Sequence, residues 1–285
     1  MARKCGSARL VGLMAFGWLI GAAAITEDAV ADPALPSVGS IIARNATARG
    51  GLEAWREIRT MTQFGHLEGT TMGGMAPKAG AERKPAVPRQ ARSVAYTMYL
   101  ARPQKMRLEV QVAGATAIRM FNGTHGWTMA PSPKGPIVAE FSPDEDRAAG
   151  SQQDLDGPLI DAPVKGTKVE VEALEPVNGR DNYRLKVTTK DGTSRHVWVD
   201  AQTYLETKVD GTRVVGGRVW PSETYFLSYK KVGKLLVPQV METAIKDVRS
   251  TERVVIDRVV VNAPVKDSYF SPPLRSEIAA DAMKE

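Results

Sequence analysis

The sequence lacks most of the residue patterns that enzymes and metal proteins use for chemistry. Its 285 residues include one cysteine, Cys5, and three histidines, His66, His125 and His196. No histidine has a second histidine or a cysteine at a spacing typical of zinc ligands. The sequence also lacks a Gly-x-Ser-x-Gly motif and a glycine-rich phosphate loop before a helix. We therefore predict no catalytic residues, no metal, no cofactor and no enzymatic activity.

Long hydrophobic runs are absent after the start of the chain. Three basic residues among the first nine precede an uncharged run at 10–25, and the small-residue pattern Ala29-Val30-Ala31 follows it. This layout is typical of a secretory signal peptide, and the run is shorter than the ~20 apolar residues of a membrane helix. Cys5 precedes the run, so the mature chain would have no thiol and no disulfide. We expect residues 1–31 to be a signal peptide cleaved after Ala31, and the mature protein to be periplasmic.

Aromatic residues are missing from the most basic stretch of the chain. Residues 72–92 are rich in proline, alanine and glycine, and Glu82 is their one acidic residue. We interpret this stretch as a long mobile loop. Because it offers no aromatic side chain for stacking on bases, nucleic acid is not a predicted partner. Its charge suits transient contact with an anionic membrane surface or with a membrane-bound donor or acceptor. The basic residues are Lys78, Arg83, Lys84, Arg89 and Arg92.

What the sequence does contain is the period-two alternation of antiparallel β-strands. Met106 and Leu108 share one face of a predicted strand, while Arg107 and Glu109 share the other. Four dipeptides are typical of tight hairpin turns because they accept positive φ angles. They are Asn122-Gly123, Asn178-Gly179, Asp191-Gly192 and Asp210-Gly211. Residues 32–285 therefore have the pattern of a single mainly β domain, and such domains often reach about 200–250 residues.

One predicted hairpin can be given a register from its turn. A two-residue turn at Asp191-Gly192 would set Leu185 opposite Trp198 on an apolar face, with basic residues on the other face. Pro238 should lie at a sheet edge, a strand start or a bulge, because it cannot donate a hydrogen bond to the ladder. Three later strands are predicted over 223–230, 235–246 and 252–262.

Helix signals occur near the mature start and again in the middle of the chain. A first helix and a short second one over 52–58 precede the strands, and a third helix is predicted within 142–161. We expect this third helix to lie across one mouth of a curved sheet as a lid. The capping and stop signals are Ser37 with Gly50-Gly51 for the first helix, and Ser142 with Glu145 and Asp156-Gly157-Pro158 for the third.

Short segments along the chain carry a further pattern in their order and spacing. They include Ala48-Arg49-Gly50-Gly51-Leu52, Arg102-Pro103-Gln104-Lys105-Met106-Arg107, Phe121-Asn122-Gly123, Asp156-Gly157-Pro158-Leu159-Ile160-Asp161, Asp200-Ala201-Gln202-Thr203-Tyr204-Leu205 and Tyr229-Lys230-Lys231-Val232-Gly233. Together they resemble the outer-membrane lipoprotein-sorting proteins, the LolA/LolB-like superfamily of periplasmic carriers. The resemblance implies a mainly β fold: a strongly curved, incompletely closed antiparallel β-barrel with helices covering the opening. It also implies a cavity for lipid-like chains and an arginine that gates the lid, for which Arg59, Arg107 and Arg119 are candidates.

These patterns together favour a non-catalytic carrier. We predict that residues 32–285 form one half-barrel domain that binds lipid or the acyl chains of lipoproteins in the periplasm. The alternative is an envelope sensor or protein-interaction module that uses the same fold with an interior filled by side chains. The predicted cavity lining is Met98, Leu100, Met106, Leu108, Ile118, Met120, Trp127, Leu185, Trp198 and Tyr225.

Overall fold

The structure, a computed structural model, describes residues 35–69, 92–133, 135–152, 154–215, 218–246 and 251–272. The predicted signal peptide and its cleavage site at Ala31 lie outside the described residues. So does the predicted basic loop, except Arg92, which begins a strand. Among the described residues, no helix is both long enough and apolar enough to cross a bilayer.

The described residues form three α-helices, one 3-10 helix and thirteen strands. The helices are α1 Val38–Ala48, α2 Leu52–Arg56, α3 Pro143–Gln152 and the 3-10 helix Asp267–Phe270. The strands are β1 Thr60–Gly69, β2 Arg92–Ala101, β3 Lys105–Val112, β4 Ala115–Phe121, β5 Gly126–Ala130, β6 Ile137–Glu140, β7 Lys168–Val177, β8 Arg180–Thr188, β9 Ser194–Asp200, β10 Glu206–Val215, β11 Arg218–Val232, β12 Leu235–Ile245 and β13 Thr251–Val261.

The thirteen strands form one antiparallel sheet in the order β6-β5-β4-β3-β2-β1-β13-β12-β11-β10-β9-β8-β7. Its edge strands β6 and β7 do not pair with each other in the described part of the chain, so the sheet stays open. Phe121 of β4 and Arg195 of β9 line one cleft although their strands lie near opposite ends of the sheet. The sheet is therefore strongly curved. The predicted mainly β, incompletely closed half-barrel is confirmed.

The first helix begins and ends where the sequence predicts. Ser37 caps α1 by accepting a hydrogen bond from the backbone amide of Ser40 at 3.3 Å. Gly50 follows the helix with φ +110°, and a Cβ there would lie 2.1 Å from the carbonyl oxygen of Lys234. Only glycine fits this position, because both the backbone angle and the close approach exclude a side chain.

The hairpin turns follow the prediction only in part. Asn178 and Gly179 form the expected two-residue turn, with φ angles of +50° and +79°. Asn122-Gly123 lies in a longer connection between β4 and β5. Asp210-Gly211 lies inside β10, so the predicted turn there is wrong. A dipeptide that suits a turn is thus overridden when both of its neighbouring strands continue.

The predicted register of the β8–β9 hairpin is also wrong, by one residue. Its loop has three residues rather than two, because the Thr189 amide donates to the Thr193 carbonyl and Gly192 adopts φ +85°. The side chain of Asp191 accepts a hydrogen bond from the Thr193 amide at 3.2 Å and stabilises this loop. A shift of one residue moves every side chain of one strand to the opposite face. The observed pairs are Leu185 with Val197, Val187 with Arg195, and Arg184 with Trp198.

The predicted later strands are confirmed as parts of β11, β12 and β13. Pro238 pairs with Tyr229, directly beside a shift in register between Ser228 and Tyr229. The β12–β13 ladder begins only at Val240. Pro238 therefore lies at a bulge, as predicted, where the ladder needs no donor.

Two hydrophobic clusters cover one face of the sheet, which we call the inner face. The first surrounds Trp55 of α2, and the second surrounds Ile41 of α1 against β8 and β9. The segment after α3 contributes Leu155 and Ile160 to the first cluster and Leu159 to the second. These side chains fill the inner face at one end of the half-barrel, which we call the filled part.

The third helix begins with the predicted capping box. The Ser142 amide donates to Glu145 Oε2 at 2.9 Å, and the Glu145 amide donates to Ser142 Oγ at 3.3 Å. Ala149 of α3 packs against Phe121 and Phe141. The helix ends at Gln152, before the predicted stop at Asp156-Gly157-Pro158, so that part of the prediction is wrong, and residues 154–161 follow as turns. The helices and this turn segment cover part of the inner face.

Candidate functional site

An apolar row crosses the inner face outside the filled part. Leu67 of β1 pairs with Val94 of β2 on one side and with Val254 of β13 on the other. Val254 pairs with Met241 of β12, which pairs with Phe226 of β11. Because directly paired residues lie on the same face of a sheet, the five side chains form one continuous row across five adjacent strands. We call these five residues the apolar row.

The apolar row is only half-buried. Each of its five side chains is partly exposed, and none belongs to the hydrophobic clusters of the described residues. The row is on the same face as Met61 and Leu100, which are buried in the first cluster. Alternation along a strand has therefore placed more apolar side chains on this face than the helices cover. Such a concave apolar surface can accept the alkyl chain of a ligand.

A buried tyrosine separates the apolar row from the filled part. Tyr96 of β2 pairs with Gly65, and a Cβ at Gly65 would lie 2.9 Å from Tyr96 Cε1. The tyrosine ring therefore lies over the glycine. Its hydroxyl is buried without a hydrogen-bond partner among the described residues. Burial, with a smaller contribution from the charge of Asp257, raises the pKa of Tyr96.

The structure places the ten predicted lining residues on two different faces. Five lie on the inner face with the clusters or beside them: Met98, Leu100, Met106, Leu108 and Leu185. The other five lie on the outer face, as their strand partners show: Ile118, Met120, Trp127, Trp198 and Tyr225. The ten residues therefore do not line one common space.

Charged side chains enclose Trp198 on the outer face. Its indole Nε1 donates to Glu175 Oε1 at 2.5 Å, and Lys208 Nζ lies 3.8 Å from the centre of its ring. Lys208 also pairs with Tyr225 across the β10–β11 ladder. Burial and the hydrogen bond to Glu223 raise the pKa of Tyr225. These contacts are those of a packed aromatic residue beneath surface charges.

The 3-10 helix covers the outer face near Met120. Arg107 stacks on the Tyr269 ring at 4.4 Å and donates from Nη1 to the Tyr269 carbonyl at 3.1 Å. Tyr99 meets the same ring edge-on at 5.1 Å. Phe270 and Met120 are both fully buried. The outer face of β2–β4 is therefore a second, smaller core beneath the end of the described chain.

A buried ion pair, which was not among the residues predicted from the sequence, stabilises the filled part. Arg49, directly after α1, donates from Nη1 to Glu206 Oε1 at 3.2 Å and to the Asp156 carbonyl at 2.6 Å. Its guanidinium lies 4.4 Å from the ring centre of Trp55. The Tyr229 hydroxyl donates to the Glu206 carbonyl at 2.7 Å. Arg49 thus joins α1, β10 and the segment after α3. The feature of the sequence that could have indicated this ion pair is an arginine placed between an apolar helix and Gly50-Gly51.

The carboxylates of the segment after α3 form a second ionic cluster. Asp156 accepts from Arg102 Nη2 at 2.5 Å and from Lys165 Nζ. Burial opposes ionisation of Asp156, but its contacts with Lys165 and Arg102 outweigh burial and lower its pKa. Burial raises the pKa of Asp154 to about 6, against the attraction of Lys165. The segment is therefore fixed by ion pairs as well as by its apolar residues.

The three arginines that the resemblance offered as gating residues lie in different environments. Arg59 is exposed, and its backbone amide donates to Asn262 Oδ1 at 2.7 Å. Arg107 lies on the outer face. Arg119 lies on the inner face, 4.2 Å from the ring centre of Phe141. Only Arg119 of these three lies on the inner face.

Comparisons with known proteins identify the fold. No protein-family model and no curated protein sequence matches the chain. A solved structure of a DUF1329 family protein from Desulfovibrio piger is similar, with a TM-score of 0.52 and 14% identity over 86% of this chain and 100% of that chain. A LolA superfamily protein from Nitrosomonas europaea is similar, with a TM-score of 0.52 and 12% identity over 84% of this chain and 99% of that chain. The chain therefore has a LolA-like fold, as the sequence resemblance implies.

Proposed function

We propose that this chain is a non-catalytic periplasmic carrier that binds lipid or the acyl chains of lipoproteins on its inner face. The observation that carries this proposal is the half-buried apolar row from Val94 to Phe226. The LolA-like fold supports it, because an open, curved sheet can hold an extended chain between its face and the covering helices.

The energetics of an apolar row suit a carrier. Each CH₂ group that leaves water contributes about 0.8 kcal/mol, so an acyl chain can bind without any specific polar partner. A chain that moves from a bilayer to the inner face exchanges one apolar environment for another. The net free energy of transfer is therefore small, and the chain can be taken up and released.

The proposal also assigns roles to the start of the chain, to the basic stretch and to the segment that includes α3. Residues 1–31 would direct export as a signal peptide, leaving one half-barrel domain over 32–285. The basic residues of 72–92 would bring the carrier to an anionic membrane surface or to a membrane-bound donor or acceptor. Segment 142–161 would act as the lid.

Native mass spectrometry of the mature protein, purified without detergent, tests the proposal. We expect a bound mass that extracts into organic solvent as an acyl lipid. Phe226→Asp should abolish binding, because it places a charge in the apolar row. Its neighbour Leu227 is 47% exposed, so Leu227→Asp is a matched control that should retain the lipid.

Thermal unfolding and lipid uptake together distinguish a carrier from an envelope sensor or interaction module. Both variants should keep a cooperative thermal unfolding transition, which shows that loss of lipid is not loss of fold. A wild-type protein without bound lipid, and without uptake from added liposomes, would contradict the carrier. That result would favour an envelope sensor or interaction module, for which the side chains of the filled part are the supporting observation.

A further inference from the structure

Arginines on the inner face form a feature that an acyl chain alone does not require. Arg119 of β4 pairs with Leu108, whose side chain packs against the first cluster. Arg195 of β9 pairs with Val187, which is buried in the second cluster. Paired residues share a face, so both guanidinium groups lie on the inner side of the sheet.

A third arginine reaches across the same face. Arg213 of β10 lies four residues after Val209, so the two side chains share the inner face. Its Nη2 is 3.6 Å from Glu252 Oε2 of β13. Because β11 and β12 lie between β10 and β13, this ion pair spans the concave side of the sheet.

The arginines of opposite halves of the sheet influence one another. Burial lowers the pKa of Arg119, and repulsion from Arg213 lowers it further, while attraction to Glu145 of α3 acts in the opposite direction. Both side chains lie on the inner face, so the curvature of the sheet turns them toward the same concave side.

Arg195 borders two open clefts. One, of about 430 Å³, lies between α3, the segment after it and the β8–β9 loop, and Lys165 and Lys190 also line it. The other, of about 600 Å³, lies at the start of β9, and most of its lining residues are on the outer face. Arg195 Nε is buried and has no hydrogen-bond partner among the described residues. Burial lowers the pKa of Arg195, against the attraction of nearby carboxylates.

The ion pair of Arg213 leads from the arginines to the apolar row. Its partner Glu252 lies two residues before Val254 of the row, so the two side chains share the inner face of β13. Two strand residues span about 7 Å. The larger cleft does not join the row, because most of its lining residues, among them His196, Asp210 and Glu223, lie on the outer face with Trp198 and Tyr225.

We propose that Arg119, Arg195 and Arg213 bind the anionic head of an amphiphile whose acyl chain lies along the apolar row. This inference rests on the proposed carrier function and narrows its ligand to acyl chains that bear a carboxylate or a phosphate. A guanidinium whose Nε lacks a partner gains a charge-assisted hydrogen bond from such a head. The anion would also offset the repulsion between Arg119 and Arg213.

Matched ligand pairs test the head site on the delipidated mature protein. Palmitate is compared with hexadecan-1-ol, and monopalmitoylglycerol phosphate with monopalmitoylglycerol, by competition with a fluorescent acyl probe. We expect one or both anionic ligands to bind at least about tenfold more tightly than the neutral partner. The pair that shows the preference identifies carboxylate or phosphate as the head.

Arginine variants test whether these side chains cause the preference for the anionic ligands. Arg195→Gln and Arg213→Gln should each remove most of it and leave binding of the neutral ligand unchanged. Arg213 lies at the rim with its side chain 41% exposed, so its variant keeps the test valid if Arg195→Gln does not fold. Arg184→Gln is the matched control, because Arg184 lies on the outer face of the adjacent strand.

Each other result has a distinct meaning. Equal binding of anionic and neutral ligands would overturn the head site and leave the carrier intact. An equal loss of preference in Arg184→Gln would also overturn the head site, because overall charge would then explain the effect. Failure of every acyl ligand to bind the wild-type protein would overturn the carrier function and the head site with it.

Discussion

The filled part and the apolar row lie on the same face of the same sheet, but they bury their side chains to different extents. In the filled part, Met61 and Leu100 meet Trp55 of α2 and Ile160 of the segment after α3. In the apolar row, the same strands β1 and β2 contribute Leu67 and Val94, which stay half-buried. The strands are continuous, so the difference arises from what covers them.

This difference separates stability from binding. A side chain in the filled part loses its contacts with a helix or a loop when it is truncated, and a cavity remains. A side chain in the apolar row already faces open space, so truncation changes little in the folded state. We therefore expect substitutions in the filled part to lower the free energy of unfolding, and substitutions in the row to lower ligand affinity.

The largest effect is expected at the ion pair of the filled part. Arg49→Ala leaves Glu206 buried without its partner and removes the contact with Trp55. We expect the free energy of unfolding to fall by about 3–5 kcal/mol, as urea denaturation would measure. Arg44→Ala is the control: Arg44 is an exposed arginine of α1 whose Nη1 donates to the Tyr204 hydroxyl at 2.8 Å, and its loss should lower the free energy of unfolding by about 1 kcal/mol or less. An equal loss in both variants would contradict a structural role for the buried pair.

Two methionines offer a direct comparison of the regions. Met61 is buried in the filled part, and Met241 belongs to the apolar row. Met61→Ala should lower the free energy of unfolding by about 2–5 kcal/mol. Met241→Ala should lower it by about 1 kcal/mol or less, because its side chain is partly exposed, and should weaken binding of a fluorescent acyl probe. If both variants lose the same stability and neither loses affinity, the apolar row is ordinary core.

The fold was predictable because its signals are local. Ser37 and Gly50 bound the first helix, and Ser142 caps the third through contacts within a few residues. The alternation of Met106 and Leu108 with charged residues likewise depends only on neighbours along one strand. Such signals do not depend on distant contacts, so the starts of the first and third helices and the mainly β class agree with the structure.

The candidate site was less predictable because it depends on register. Met106 and Met120 were both assigned to the cavity by alternation, but the tight turn at Ala113 and Gly114 pairs Met106 with Phe121 and turns Met120 outward. The three-residue loop turns Trp198 outward in the same way. Arg49 could not be assigned because Glu206 and Asp156 lie more than a hundred positions along the chain.

Tyr96 lies between the filled part and the apolar row. Its substitution tests whether water or a ligand reaches the boundary between them. Its buried hydroxyl has no partner among the described residues, so Tyr96→Phe removes a desolvated polar group without opening a cavity. We expect the free energy of unfolding to rise by about 1 kcal/mol. In the control Tyr225→Phe, the lost hydroxyl donates to Glu223 Oε2 at 2.9 Å, so stability should not rise. A destabilised Tyr96→Phe variant would show that the hydroxyl binds water or a ligand in the intact protein.

The smallest effect is expected at the cap of α3, the helix that covers one edge of the inner face. Ser142→Ala removes the side-chain acceptor for the Glu145 amide and leaves the packing of Ala149 on Phe121 in place. We expect a loss of about 0.5–1 kcal/mol. Amide hydrogen exchange should report this loss as faster exchange within α3, with no change in β1 or β13. Ser93→Ala, at an exposed strand position, should leave exchange in α3 unchanged. Faster exchange across the whole sheet would mean that α3 stabilises the filled part as well as covering its edge.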